Sequence, residues 1–106
     1  MGPVSIVRIS GTMDLYNMPE LKEEFERLLT AGRVRVVLNL SEVESIDSSG
    51  IGAMIAFLQQ LRRQEGHLVL SAVSQPCRYV LNLTRLSAFF DLVDDDTEAQ
   101  AAVVQS

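Results

Sequence analysis

The sequence predicts an α/β fold in which a central β-sheet, largely parallel or mixed, packs against about four helices in the order β-α-β-α-β-α-β-α. Short apolar runs rich in β-branched residues alternate along the chain with longer segments whose apolar residues recur at helical spacing. Strands separated by helical segments are typical of parallel pairing through right-handed crossovers. The 106 residues suffice for one core, so we expect a single domain over residues 1–106.

The first part of the chain contains two predicted strands and one predicted helix. Val4–Ser10 alternates partly between apolar and polar residues, as a strand does, and residues 11–17 lack periodicity and predict a loop. Asn17 is a candidate N-cap, so we expect a helix to follow it and to end at Gly32. The apolar run Val34–Leu40 predicts a strand at the centre of the sheet, covered on both faces.

The second part of the chain continues the alternation. A link over residues 41–46 leads to a hydroxyl-rich turn, and an apolar stripe that starts at Ile51 predicts a second helix ended by Gly66. A strand is predicted over Leu68–Val73 and a third helix from Ser74 to about Leu86, with Val80 and Leu83 facing inward. A last strand over Phe89–Val93 and a terminal helix that begins with acidic residues, from Asp94 onward, complete the prediction.

Composition excludes several classes of protein. The net charge is -5, and the chain has no basic cluster larger than Arg62-Arg63, which argues against a nucleic-acid partner. A single cysteine excludes an internal disulfide. We find neither a signal segment nor an apolar run of membrane-spanning length, so we expect no membrane partner and a cytoplasmic location.

Three other features are expected to have structural roles only. Cys77 is expected to be a buried core residue, because free cysteines are among the most buried residue types. His67 has no companion ligand in the sequence and is predicted to be a solvated loop residue. The acids Asp94–Asp96 are expected to cap a helix and remain solvated. No metal site is therefore predicted.

The turn Ile46–Gly52 is the strongest candidate site. A small-residue turn between a strand and a helix places backbone N–H groups and hydroxyls at a positively polarised helix start, where a phosphate is favoured. In a purely structural interpretation, Asp47 or Ser48 caps the helix, and Gly50 and Gly52 permit its close approach to the sheet.

Catalysis at this turn is disfavoured. The sequence contains neither Gly-x-Ser-x-Gly nor Ser-x-x-Lys, and the lone histidine lies beyond the far end of the predicted helix. The Gly-x-Gly of the turn lacks the third glycine of the dinucleotide fingerprint and the lysine of the Walker loop, so nucleotide binding is the weaker alternative. We predict that the chain is not an enzyme and needs no cofactor.

Three stretches together carry a resemblance to a known family. Residues 47–52 match an Asp-Ser-Ser-Gly-(Leu/Ile)-Gly motif, residues 11–14 match a Gly-x-x-Asp loop, and Val-Leu-Asn-Leu at 37–40 precedes the motif. The chain thereby resembles the STAS-domain proteins of the bacterial anti-sigma factor antagonist family. The resemblance extends over nearly all of the sequence and implies a STAS-like fold.

The resemblance implies a phosphoprotein that acts by partner switching. The unmodified protein would bind an anti-sigma factor serine kinase, phosphorylation would release it, and a separate serine phosphatase would reverse the change, so that sigma-factor-dependent transcription is regulated. The implied phospho-acceptor is Ser48, and the implied partner-binding residues are Asp14, Asp47, Ser48, Ser49, Gly50 and Ile51. The alternative is a STAS-type adaptor or accessory subunit of a transport or signalling complex, without a phosphate cycle.

The resemblance also bears on the edge of the sheet. The family usually has an additional strand before the one predicted here at Val4–Ser10. We therefore expect an exposed sheet edge, and a homodimer through that edge is among the expected partners.

Overall fold

The computed structural model describes residues 3–104 and confirms the predicted alternation of strands and helices. This part of the chain has four strands, four α-helices and one short 3-10 helix. The elements are β1 (Val4–Met13), α1 (Met18–Thr30), β2 (Arg35–Ile46), α2 (Ser48–Arg63), β3 (His67–Ser71), α3 (Gln75–Leu83), the 3-10 helix (Leu86–Phe89), β4 (Asp91–Val93) and α4 (Asp96–Val104). No helix in residues 3–104 is both long enough and apolar enough to cross a membrane.

The four strands lie side by side in the order β1-β2-β3-β4, and all three neighbouring pairs are parallel. Alternate residues of β2 point to opposite faces of the sheet. Val36 and Leu38 belong to the main core with residues of α1, α2 and α3, whereas Val37 packs with Ala99 and Val103 of α4. The prediction that the second strand is central and covered on both faces is confirmed.

The first two strands are longer than predicted. Residues 11–13, expected in a loop, continue β1, and residues 41–46, expected as a link, continue β2 until Met13 pairs with Ile46. The pairing shifts register between Arg8 and Ser10 and again between Gly11 and Thr12. Such bulges interrupt the two-residue period, which is why the sequence shows no strand pattern here.

The inward face of α3 also differs from the prediction. Cys77 and Leu81 are fully buried, Val80 is partly buried, and Leu83 is 68% exposed. Leu83 is the last residue of the helix, and the chain then turns through Arg85 at a φ of 60°. The prediction that Leu83 faces inward is therefore wrong, because two residues correspond to a rotation of about 200° in an α-helix, which places Leu83 on the side opposite the buried Leu81.

His67 is not the solvated loop residue that was predicted. It begins β3, and its Nε2 lies 2.6 Å from Oδ2 of Asp91, which begins β4. The side chain of His67 is largely covered. This contact joins the amino-terminal ends of two neighbouring strands. Local sequence could not predict it, because it depends on which strands pair.

Candidate functional site

The turn between β2 and α2 is built around the carboxylate of Asp47. The backbone of Asp47 is extended, and its Oδ1 accepts hydrogen bonds from the N–H of Ser49 at 2.8 Å and of Gly50 at 3.1 Å. Its own carbonyl accepts the N–H of Ile51. Asp47 is thus the N-cap of α2, which decides between the two capping residues that the sequence left open.

Ser48 is the first residue of α2 and is exposed to solvent. Within residues 3–104 its hydroxyl has no hydrogen-bond partner, because the capping role belongs to Asp47. Ser49 follows, half-buried, with its N–H already donated to Asp47. Of the two neighbouring serines, Ser48 is the more accessible to another protein.

Gly50 places the helix directly against the end of β1. A Cβ at this position would lie 2.5 Å from the carbonyl oxygen of Met13 and 2.9 Å from its Cβ, a contact that only glycine avoids. The same carbonyl accepts the N–H of Asp47 at 3.1 Å. At Gly52, by contrast, a Cβ would meet no atom of residues 3–104 within 4 Å. The expected close approach is confirmed for Gly50 and wrong for Gly52.

Asp14 directly follows Met13, so its loop lies beside the turn. Oδ1 of Asp14 accepts both the backbone N–H and the Nδ2–H of Asn17, each at 3.1 Å. Nδ2 of Asn17 also donates to the carbonyl of Thr12 at 2.7 Å. Asn17 occupies the predicted position before α1, but its side chain closes the loop and does not cap the helix.

Two large apolar side chains in this loop were not identified from the sequence. Leu15 is 67% exposed and Tyr16 is 90% exposed. The sequence does contain a signal for their exposure, because both residues lie in the segment without periodicity between the candidate site residue Asp14 and the candidate cap Asn17. We use the name "Ser48 surface" for Asp14, Leu15, Tyr16, Asp47 and Ser48.

Two other implied partner-binding residues, Gly50 and Ile51, lie beneath this surface. Gly50 is buried, and Ile51 is 4% exposed and belongs to the main core. Their positions allow them to hold the turn in place, whereas the side chains of Asp47 and Ser48 are exposed.

Other potentially reactive groups lie away from the turn or do not cluster. Cys77 is fully buried as predicted, and burial raises the pKa of its thiol to about 11, so the nucleophilic thiolate is scarce near neutral pH. Among residues 3–104, no three His, Cys, Asp or Glu side chains come together in a way that could hold a metal ion.

The sequence and the fold were compared with known proteins. Residues 2–100 match the STAS domain family. An anti-sigma-B factor antagonist of Staphylococcus epidermidis is 29% identical over 94 residues, which cover 89% of this chain and 86% of the relative. The corresponding protein of Staphylococcus aureus is 28% identical over the same shares.

Solved structures show the same architecture. An anti-sigma factor antagonist from Mycobacterium paratuberculosis superposes with a TM-score of 0.84 at 27% identity, covering 94% of this chain and 85% of that one. The unphosphorylated form of the antagonist SpoIIAA superposes with a TM-score of 0.79 at 20% identity, covering 97% and 90%. The predicted α/β fold and the resemblance seen in the three sequence stretches are confirmed, and the chain belongs to the STAS domain family.

Proposed function

We propose that this chain is an anti-sigma factor antagonist that works by partner switching. In its unphosphorylated form the Ser48 surface binds an anti-sigma factor serine kinase, and phosphorylation of Ser48 releases that partner. The observation that carries the proposal is the exposed hydroxyl of Ser48 at the first position of α2, which has no hydrogen-bond partner in the described part of the chain. The names of the Staphylococcus relatives, which are anti-sigma-B factor antagonists, support it.

The hydrogen bonds of Asp47 explain how a phosphate on Ser48 would act. A helix start usually neutralises a phosphate by donating its free N–H groups. Here the N–H groups of Ser49 and Gly50 already donate hydrogen bonds to the carboxylate of Asp47. A phosphate on Ser48 would therefore remain largely solvated and would add a charge of about -1.5 to -2 next to that carboxylate.

This added charge weakens binding at the interface without disturbing the core. A partner that covers the Ser48 surface must strip water from the phosphate and must tolerate the neighbouring carboxylates of Asp14 and Asp47. The cap that holds the turn is formed by Asp47, and within residues 3–104 the side chain of Ser48 forms no hydrogen bond. Release of the partner then follows from desolvation and repulsion.

Leu15 and Tyr16 give the same surface an apolar component. Tyrosine is enriched among the residues that dominate binding energy at protein interfaces. The loop that holds Tyr16 is fixed by hydrogen bonds from Asn17 to Thr12 and Asp14, so little backbone conformational entropy is lost when it is covered. The proposed surface thus combines an exposed aromatic side chain on a hydrogen-bonded loop with an adjacent switchable charge.

The test is incubation with the cognate anti-sigma factor kinase and ATP, followed by intact-mass measurement. We expect the mass of a single phosphate on the wild-type chain, none on Ser48→Ala, and one on the matched control Ser49→Ala. The phosphorylated protein should bind the kinase at least about tenfold more weakly, and a cognate serine phosphatase should restore both mass and binding.

Other outcomes would contradict the proposal. Modification that persists in Ser48→Ala and disappears in Ser49→Ala would move the switch to the second serine. A wild-type chain that is neither modified nor bound by its cognate kinase would favour the alternative function, an adaptor or accessory subunit without a phosphate cycle.

A further inference from the structure

Gly52 is an exposed glycine in the second turn of α2, and the folded chain does not require a glycine there. Its backbone is helical, whereas the described glycines with a positive φ are Gly11 and Gly32. The space around its Cα is open to a distance of 4 Å with respect to residues 3–104. Neither a special backbone conformation nor a close contact in this part of the chain therefore excludes a side chain at position 52.

The glycine nevertheless weakens the helix that contains it. In the interior of a helix, glycine is less favourable than every residue except proline, because it loses the most backbone entropy on folding. At Gly50 the close approach of Met13 accounts for this cost, and at Gly52 no contact in the described part of the chain does. A residue that costs stability without an internal gain is typical of a functional surface.

Gly52 lies next to Ser48 on the same face of α2. Four residues of an α-helix correspond to a net rotation of about 40° and a rise of about 6 Å. Ser48 and Gly52 are both exposed, whereas Gly50 and Ile51 between them are buried and Ser49 is half-buried. The exposed backbone of Gly52 is therefore the next part of α2 that a protein covering Ser48 would meet.

The helix face beyond Ser48 is low. The next exposed residue after Gly52 is Ala56, which carries only a methyl group, and longer exposed side chains begin at Gln59. Leu15 and Tyr16, in contrast, protrude from the neighbouring loop. Glycine is the residue that lets a ligand approach the backbone most closely. This face of α2 can thus be covered by a partner at shorter range than the loop.

We propose that Gly52 is a specificity-determining residue for the anti-sigma factor kinase, which packs directly on the backbone of α2 one turn beyond Ser48. This inference rests on the proposed function and extends the binding site from the Ser48 surface along α2. Gly52 is about 6 Å from Ser48 along the helix axis, so it acts by setting how closely the kinase approaches the acceptor hydroxyl. A side chain at position 52 would improve folding and impair binding.

The variants Gly52→Ala and Gly52→Gln test these opposite effects. Both new residues have a higher helix propensity than glycine, so the urea midpoint of each variant should lie above that of the wild type. The Kd for the cognate kinase should rise at least about threefold for Gly52→Ala and at least about tenfold for Gly52→Gln, because the larger side chain holds the two surfaces further apart. In phosphorylation assays, KM should rise by similar factors while kcat stays within about twofold of the wild type.

The matched control is Thr30→Ala, which also raises helix propensity at an exposed position. Thr30 ends α1 and precedes β2, at the opposite end of the sheet from Ser48. This variant should raise the urea midpoint and leave the Kd for the kinase unchanged.

The outcomes separate this inference from the proposed function. If the wild type is bound and phosphorylated on Ser48 while Gly52→Gln binds equally well, the role of Gly52 is overturned and the proposed function stands. Weaker binding accompanied by a lower urea midpoint would also overturn that role, because Gly52 would then be needed for folding. A wild-type chain that is neither bound nor modified would overturn both.

Discussion

At the start of α2, two glycines separated by one residue have different structural roles. The Cα of Gly50 faces the backbone of Met13 so closely that no side chain fits, whereas Gly52 faces open space. Both positions hold glycine, so local sequence could not distinguish them. They differ because the end of β1 lies against Gly50 and not against Gly52.

We predict opposite effects of alanine at these two positions. Gly50→Ala should destabilise the protein by about 1–3 kcal/mol, because helix and strand must move apart to admit the methyl group. Gly52→Ala should stabilise it by about 0.5–1 kcal/mol, since alanine loses less backbone entropy in a helix. Urea unfolding of both variants measures the change in the free energy of unfolding, and equal changes would contradict the observed packing of Gly50.

A further residue-scale prediction concerns the thiol of Cys77. Burial raises its pKa to about 11, although the charge of Arg78 acts in the opposite direction. Well below the unfolded-state pKa of about 8.5 the thiol is protonated in both the folded and the unfolded chain and contributes no pH dependence. As the pH rises from there toward 11, the unfolded chain loses a proton that the folded chain keeps, so the free energy of unfolding falls.

The matched measurement is urea unfolding of the wild type and of Cys77→Ala between neutral and alkaline pH. The stability of the wild type should fall more steeply above about pH 8.5 than that of the variant, which has no thiol to ionise. Parallel curves would show that Cys77 ionises equally in both states. Alkylation of the native thiol at neutral pH should also be much slower than in urea.

At the scale of elements, a polar network fastens α4 to the back of the sheet. Oδ1 of Asp96, the first residue of α4, accepts hydrogen bonds from Oγ of Ser71 at 2.5 Å and from Nδ2 of Asn39 at 3.0 Å. Oδ1 of Asn39 in turn accepts the N–H of Ser41 at 3.0 Å. One carboxylate thereby joins α4 to both β2 and β3.

Removal of this carboxylate should loosen α4. Asp96→Ala leaves the fully buried hydroxyl of Ser71 and the amide of Asn39 without an acceptor, so we expect a loss of about 1–3 kcal/mol in the free energy of unfolding. Hydrogen exchange should speed up in α4 more than in α2. The matched control, Asp94→Ala, removes an exposed acid and should change stability by less than about 0.5 kcal/mol. Equal losses in the two variants would contradict a specific role for Asp96.

At the scale of the whole molecule, the proposed switch separates binding from folding. The cap of α2 is formed by Asp47, and Ser48 lies outside the core. A phosphate there gains from the helix dipole and loses from repulsion by Asp47, two effects of similar size and opposite sign.

Phosphorylation of Ser48 should therefore change the free energy of unfolding by less than about 1 kcal/mol. The measurement is urea unfolding of the phosphorylated and unmodified chains in parallel with titration of the kinase. Phosphorylated Ser48 should abolish tight binding while the unfolding midpoint hardly moves. A loss of several kcal/mol would indicate that release occurs through local unfolding of the turn.

The sequence by itself determined the order of strands and helices, the central position of the strand that begins near Val34, and the turn at 46–52 as the candidate site. These properties depend on local periodicity and on short motifs. The burial of Cys77 was also accessible, since residue type alone predicts it. The resemblance carried by the three motif stretches added the family.

Only the tertiary structure decided the properties that depend on distant partners. β1 continues past Gly11 and β2 past Ser41 because the two strands stay paired with each other across two bulges. Asp47 and not Ser48 forms the cap, and the close passage of Met13 makes glycine necessary at position 50. The strand extensions and the need for glycine at position 50 are set by residues far away in the chain, and no pattern within one segment encodes them. The cap is a local contact, but two neighbouring residues could form it, and only the backbone geometry of the turn decides between them.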